Sequence, residues 1–135
     1  MRFLGVDLGK TRTGLALSDP LGITCRPLEV LVERDSARVA ESIAALAKEY
    51  GADRIVLGLP RPLRGGRNQQ MEEVLAFKAL LERCTEVPVV LWDERFTSKL
   101  AERGRRPGTA KDAVAACYLL QNYLDAQARD QERSE

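Results

Sequence analysis

The change of hydrophobic period along the chain restricts its fold more than any other feature of the sequence. Residues 2–7 and 13–18 read as two strands, joined by the Gly-rich turn Leu8-Gly9-Lys10-Thr11-Arg12. A third extended segment, around Ile23 to Val32, follows the turn Asp19-Pro20-Leu21-Gly22. Connections this short suggest an antiparallel meander. Beyond it the pattern alternates between helix and strand. Val39, Ile43, Leu46, Ala47 and Tyr50 form a helical stripe that Asp35 or Ser36 can cap and Gly51 can end. Residues 54–59 are a continuous apolar run stopped by Pro60. Asn68 can cap a second helix whose core face is Met71, Val74, Phe77, Leu80 and Leu81. Residues 87–92 form a fifth strand with Pro88 near its start, where a missing N–H does least damage. A last helix is predicted from about Ala110 to Ala126, with the stripe Ala113, Ala116, Cys117, Leu120 and Leu124. The order βββαβαβα implies an α/β domain: a mixed sheet with helices on both faces. At 135 residues the chain has room for a single domain, with residues from about 127 to 135 expected as a flexible acidic tail.

Composition removes whole classes of chemistry. The chain has no histidine, which excludes Ser-His-Asp, Cys-His and His-general-base mechanisms. Catalysis must come from carboxylates, Lys, Arg, hydroxyls or a metal. The three cysteines, Cys25, Cys84 and Cys117, are odd in number and form no C-x-x-C pair, so they read as small core hydrophobes in a reducing cytoplasm. No apolar run approaches the roughly 20 residues that span a bilayer, and no signal peptide is evident, so a cytoplasmic protein with no membrane partner is expected.

Acidic residues collect where an α/β sheet gathers ligands, beyond the carboxyl ends of its parallel strands. Asp7 ends the first strand, and Asp93 and Glu94 end the fifth. These last two alternate faces, so at most one points with Asp7. Asp112 lies in the first turn of the last helix, where Thr109-Ala110-Lys111-Asp112 also fits a capping-box-like pattern. Converging carboxylates repel one another unless a cation is present. Mg²⁺ or Mn²⁺ relieves that repulsion, and a pair of such ions roughly 3.5–4 Å apart can activate water and stabilise the leaving oxygen of a phosphodiester. Net charge is only +1, but the cations are clustered. Arg61, Arg64 and Arg67 form one group, and Arg95, Lys99, Arg103, Arg105, Arg106 and Lys111 another, against the single anion Glu102. Both are candidate phosphate-binding stretches, or else solvated loop surface.

The first turn invites two other readings. Gly5-x-x-x-Gly9-Lys10-Thr11 is one residue short of a Walker loop, and it leads into a strand where that motif opens a helix. The D-x-G at Asp7 also resembles the phosphate loop of actin-like ATPases and sugar kinases, but those proteins clamp nucleotide between two domains.

Taken together, Gly5 to Asp19, Ile55-Val56-Leu57-Gly58-Leu59-Pro60, Trp92 to Ser98, and Asp112 to Asp125 resemble the YqgF (RuvX) family of candidate pre-16S rRNA nucleases and Holliday junction resolvase-like proteins. The matching stretches lie in family order over nearly the whole chain. The resemblance implies a ribonuclease H-like fold with strand order 3-2-1-4-5 and strand 2 antiparallel. It implies metal-dependent cleavage by Asp7, Glu94 and Asp112, which hold two Mg²⁺ or Mn²⁺ ions, and it favours Glu94 over Asp93. Arg12 and Arg95 match the family's basic motif positions and are candidates to meet phosphate or to pair with nearby acids, and Lys10 is a further candidate for nucleic-acid binding. The order Gly9-Lys10-Thr11-Arg12 departs from the more usual Gly-Thr-Lys-Arg, and the stretch from Thr97 to Asp112 is more compact than in typical members. The expected function is an endonuclease maturing the 5′ end of 16S rRNA. Cleavage of junction DNA and a noncatalytic nucleic-acid-binding module are the alternatives. The expected partner is nucleic acid, with a homodimer left open.

Overall fold

The computed structural model describes residues 1–61, 65–93 and 110–134, with side chains from 112 to 131 in the last stretch. Strands β1 (Phe3–Asp7), β2 (Arg12–Ser18), β3 (Cys25–Val32), β4 (Arg54–Leu59) and β5 (Val89–Asp93) form one sheet in the order β3-β2-β1-β4-β5. The β1–β2 and β2–β3 pairs are antiparallel, and β1–β4 and β4–β5 are parallel. This is the mixed ribonuclease H-like sheet expected, with β2 as the antiparallel neighbour of β1.

Helices α1 (Ser36–Glu49) and α2 (Gln69–Cys84) cover one face, and α3 (Ala110–Ser134) covers the other. Alternation along each strand divides the core accordingly. Leu4, Val6, Leu15, Leu17, Ile55 and Leu57 pack under α1 and α2 with Ile43, Val74 and Phe77. Phe3, Ala16 and Val56 pack under α3 with Ala116, Leu120 and Tyr123. The helix starts follow the sequence. Asp35 Oδ1 accepts the Ala37 N–H at 3.0 Å, and Asn68 Oδ1 accepts the Met71 N–H at 2.9 Å. After α1, Gly51 takes the left-handed conformation, φ 65°, that ends a helix most easily with glycine.

Among the boundaries that differ from expectation, two have a visible physical cause. The fifth strand begins at Val89 rather than Val87. Pro88 has no N–H to give the ladder, although its carbonyl accepts the Ile55 N–H at 2.9 Å. Helix α3 runs to Ser134, so the residues expected as a tail from 127 onward continue the helix instead. The apolar stripe stops at Leu124, which hid this extension. Gln, Ala, Arg and Glu after it are good helix formers, and no Gly or Pro interrupts them.

The approach of α3 to the sheet depends on missing side chains. A Cβ on Gly5 of β1 would lie 2.9 Å from Leu120 Cβ and 3.3 Å from the Ala116 carbonyl oxygen. Gly5→Ala is therefore expected to lower stability by about 1–3 kcal/mol through overpacking, the opposite sign from strand propensity. Urea denaturation checks this: an unchanged or raised midpoint would mean that α3 does not lie so close to β1.

Candidate functional site

Asp7 is the last residue of β1, half-buried, on the same face as Phe3 and Gly5, the face covered by α3. Across the β1–β2 ladder its partner is Gly14. A Cβ built on Gly14 would overlap the carbonyl of Asp112, and it would lie 3.0 Å from the Ala113 nitrogen. The backbone of α3's first turn therefore rests on β2 at the residue paired with Asp7. That places Asp7 and Asp112, which lie far apart in sequence, at one corner of the sheet. Sequence reasoning had named both acids but missed Gly14. The signal was there, since an isolated glycine inside a strand pattern marks a close backbone approach.

Asp112 Oδ2 is buried and has no hydrogen-bond partner among the described residues. Leaving such a group unsatisfied costs roughly 1–3 kcal/mol, and more when it is charged. A capping acid spends its oxygens on backbone N–H groups. This oxygen does not, and Thr109, the partner in the capping reading of Asp112, lies outside the described residues. A bound cation would satisfy the oxygen. The oxygen donors of Asp7 and Asp112 suit a hard divalent ion. Among the described residues no group of three acidic, cysteine or histidine side chains gathers for a metal, and Glu94, the expected third ligand, lies outside them.

On β5, Val90 and Trp92 pack on the α3 side, whereas Asp93 aligns with Leu59 in the parallel ladder and shares its face under α1 and α2. Asp93 therefore points away from Asp7, and Arg61 Nε lies 3.6 Å from its Oδ2. The basic candidates separate in a similar way. Arg12 starts β2 on the face of Gly14 and Ala16, exposed at the rim beside Asp7. Lys10, also exposed, lines a cavity of about 810 Å³ with Leu8, Arg34, Val39 and Phe77, between the first turn and the α1–α2 layer. That cavity is on the other face from the acids and is not their site. Arg67 Nε is 2.6 Å from Glu72 Oε1, so Arg61 and Arg67 both stand beside carboxylates, although both remain solvent-accessible. Arg64, Arg95, Arg103, Arg105 and Arg106 lie outside the described residues, as does the side chain of Lys111.

Aromatic packing supports the acid corner from below. Tyr123 of α3 meets Phe3 and Trp92 edge-on, each at 5.7 Å between ring centroids, and its hydroxyl accepts from Arg54 Nη1 at 2.7 Å. These contacts fix α3 against β1, β4 and β5, and with it the position of Asp112.

A β3-β2-β1-β4-β5 sheet with an acid at the end of β1 and another at the start of the helix packed over it is the ribonuclease H-like arrangement, and the family match places the chain among nucleases. The chain belongs to the RuvX family, described as Holliday junction resolvase, whose model matches residues 1–126. A relative from Pelotomaculum thermopropionicum, named as a candidate pre-16S rRNA nuclease, is 39% identical over 96% of this chain and 90% of its own length. One from Desulforamulus reducens with the same name is 38% identical over 96% of this chain and 100% of its own. In fold the chain is similar to the Thermus thermophilus RuvC solved with a Holliday junction substrate, with a TM-score of 0.60 at 16% identity over 95% of this chain and 96% of that one. The Fowlpox virus resolvase solved with junction DNA gives a TM-score of 0.60 at 13% identity, over 94% and 99% of the two chains.

Gly14→Ala tests the corner. The added methyl group must push the first turn of α3 off β2, so cleavage by the folded protein should fall well beyond the loss from any unfolded fraction. Circular dichroism to quantify folded protein, followed by rates per folded molecule, separates the two. Wild-type rates per folded molecule would show that the Gly14 contact does not set the site.

Proposed function

We propose that this chain is an endonuclease that hydrolyses nucleic-acid phosphodiester bonds with Mg²⁺ or Mn²⁺, and that it matures the 5′ end of pre-16S rRNA in the cytoplasm. The observation that carries the reading is the acid corner, where Gly14 brings Asp112 beside Asp7 and Asp112 Oδ2 is buried without a hydrogen-bond partner. Asp7, Glu94 and Asp112 are the residues that would hold two ions. Trp92 is on Asp7's face and Asp93 is not, which supports Glu94 over Asp93 as the third ligand. The chemistry supplied when divalent ions bind is activation of water for attack at phosphorus and neutralisation of the charge that develops on the departing oxygen.

The chain's own groups do the positioning. Asp7 supplies negative charge at the centre of the sheet edge, where both neighbouring acids can share an ion with it. Gly14 admits the first turn of α3. Arg12, exposed on the same face, suits a backbone phosphate next to the one being cut, which would fix the register of the strand. The remaining basic candidates, Arg95, Arg103, Arg105, Arg106 and Lys111, would extend this contact along the substrate, with Arg61, Arg64 and Arg67 beyond β4.

The ribosomal RNA substrate is supported by the names of relatives that are 36–39% identical over more than nine-tenths of the chain. The family description favours a second reading, branched DNA. Incubating the protein with pre-16S rRNA 5′ leader, unstructured RNA and four-way DNA junctions, with Mg²⁺, Mn²⁺ or EDTA, distinguishes them. Defined cleavage of the leader alone supports the first reading, cleavage of the junction alone supports the second, and cleavage in EDTA contradicts both.

Asp7→Asn and Asp112→Asn should each lower the cleavage rate by a factor on the order of 10²–10³ or more, the scale expected when transition-state charge stabilisation is lost. Asp93→Asn should stay within a few-fold of wild type. A dominant defect at Asp93 would reverse the assignment on β5. Arg12→Ala should weaken binding at all sequences alike and flatten the plot of log affinity against log salt by roughly 0.7–0.9, one phosphate contact. Fluorescence anisotropy over a salt series measures this slope, and an unchanged slope would remove Arg12 from the phosphate contact.

A further inference from the structure

Two of the cysteines, separated by 92 residues in sequence, meet in space. Cys25 opens the edge strand β3, and Cys117 lies on α3 between one and two turns after Asp112. Their sulfur atoms are 3.3 Å apart, and both side chains are half-buried. Core hydrophobes is therefore an incomplete description of them. The surroundings are polar: Cys25 Sγ also lies 3.2 Å from the Cys117 carbonyl oxygen and 3.7 Å from Gln121 Oε1. Gln121 Nε2 in turn donates to the Ile23 carbonyl at 2.9 Å and to Asp125 Oδ1 at 3.0 Å, holding this part of α3 against the chain entering β3. Cys84, at the end of α2, is exposed and belongs to a different surface.

We propose that Cys25 and Cys117 are a redox modification site, which a peroxide oxidant closes into an intramolecular disulfide stapling α3 to the edge of the sheet. Bonding distance is about 2.05 Å, so the sulfur atoms need to approach by little more than an ångström. The pair shares its protons unevenly. The hydrogen bond from Cys25 lowers the Cys117 thiol to about 7, against the opposing effect of burial. The same hydrogen bond first, then burial, then the charges of Cys117, Asp125 and Asp19 hold the Cys25 thiol well above its ordinary range. Cys117 is thus the attacking thiolate. Its sulfur attacks one peroxide oxygen, the O–O bond breaks, and the departing hydroxide takes a proton to become water, leaving a sulfenic acid on Cys117. Cys25 sulfur then attacks the sulfenic sulfur. The S–S bond forms, the S–O bond breaks, and the leaving hydroxide takes the Cys25 proton as a second water. Two thiols and one hydrogen peroxide give one disulfide and two waters. Dithiol reductants reverse it by thiol–disulfide exchange.

The consequence falls on α3, whose first turn carries Asp112. A covalent tie spanning most of the chain restricts the unfolded state strongly. The test uses the full chain with Cys84→Ser, which removes the exposed thiol and its intermolecular products. Titration with hydrogen peroxide should remove about 2 Da from the intact mass and join the Cys25 and Cys117 peptides. It should raise Tm by at least about 5 °C, and dithiothreitol should restore the starting values. Adding Cys25→Ser should abolish the Tm rise and leave Cys117 as a sulfenic acid that a dimedone probe traps. Two results would overturn the proposal: both thiols still alkylated at peroxide concentrations that oxidise Cys84 in the wild type, or a linked pair with no gain in Tm.

Discussion

The distance between α3 and the β1–β2 hairpin governs the rest of this structure. Glycines at positions 5 and 14 leave the sheet without side chains where Leu120, Ala116 and Asp112 come down on it. Van der Waals contact is steep, so a single methyl group at either place forces a helix shift or a strained rotamer. Phe3, Trp92 and Tyr123 set the same distance further along the helix through edge-on ring contacts. What this spacing achieves is local. It puts the start of a helix, with its carboxylate, against the end of the central strand, with another.

Carboxylates gathered at one sheet edge disfavour one another unless a cation or donor stands between them. Asp112 Oδ2 is buried and has no hydrogen-bond partner among the described residues, which carries a cost. A domain whose whole stability is of the order of 5–15 kcal/mol keeps such a corner only because the remaining core is dense. Leu4, Val6, Leu15, Ile55, Val56, Leu57 and Leu120 are buried almost completely on the two faces of the sheet. In the proposed reading, a divalent cation bound at this corner would satisfy the buried oxygen and offset the repulsion. Asp93 illustrates the other solution. It sits on the opposite face, where Arg61 stands beside it.

Much of this was legible in the sequence. The three closely spaced strands and the later helix–strand alternation implied a mixed sheet with helices on both faces, the strand order came from the family resemblance, and Asp35 or Ser36 and Asn68 marked two helix starts by side-chain chemistry. The acids at strand ends were visible for the same reason, since Asp7 follows an apolar run directly. Three things were not. The length of α3 was hidden because its last turns bury little, and a stripe-based reading ends where burial ends. For Gly14 the pattern marked a close backbone approach, but which helix residue lands on it is a tertiary fact that no local pattern carries. The meeting of Cys25 with Cys117 depends on α3 crossing the edge strand β3, and spacing in the chain says nothing about it. Choosing between Asp93 and Glu94 fell between these cases. Strand alternation required the two to differ, the family resemblance favoured Glu94, and the packing of Trp92 against α3 puts Asp93 on the face away from Asp7.

The central claim, that the Asp7–Asp112 corner is built around a divalent cation, is tested most directly by thermal unfolding of wild type and Asp7→Asn over a Mn²⁺ series without substrate. A ligand that binds only the folded state raises stability in proportion to RT ln(1 + [L]/Kd). The account predicts that wild-type Tm rises with Mn²⁺. It also predicts that metal-free Asp7→Asn melts no lower than metal-free wild type, because repulsion is relieved, and that its Tm stays flat as Mn²⁺ increases. A wild-type Tm indifferent to Mn²⁺, or an equal rise in Asp7→Asn, would contradict it.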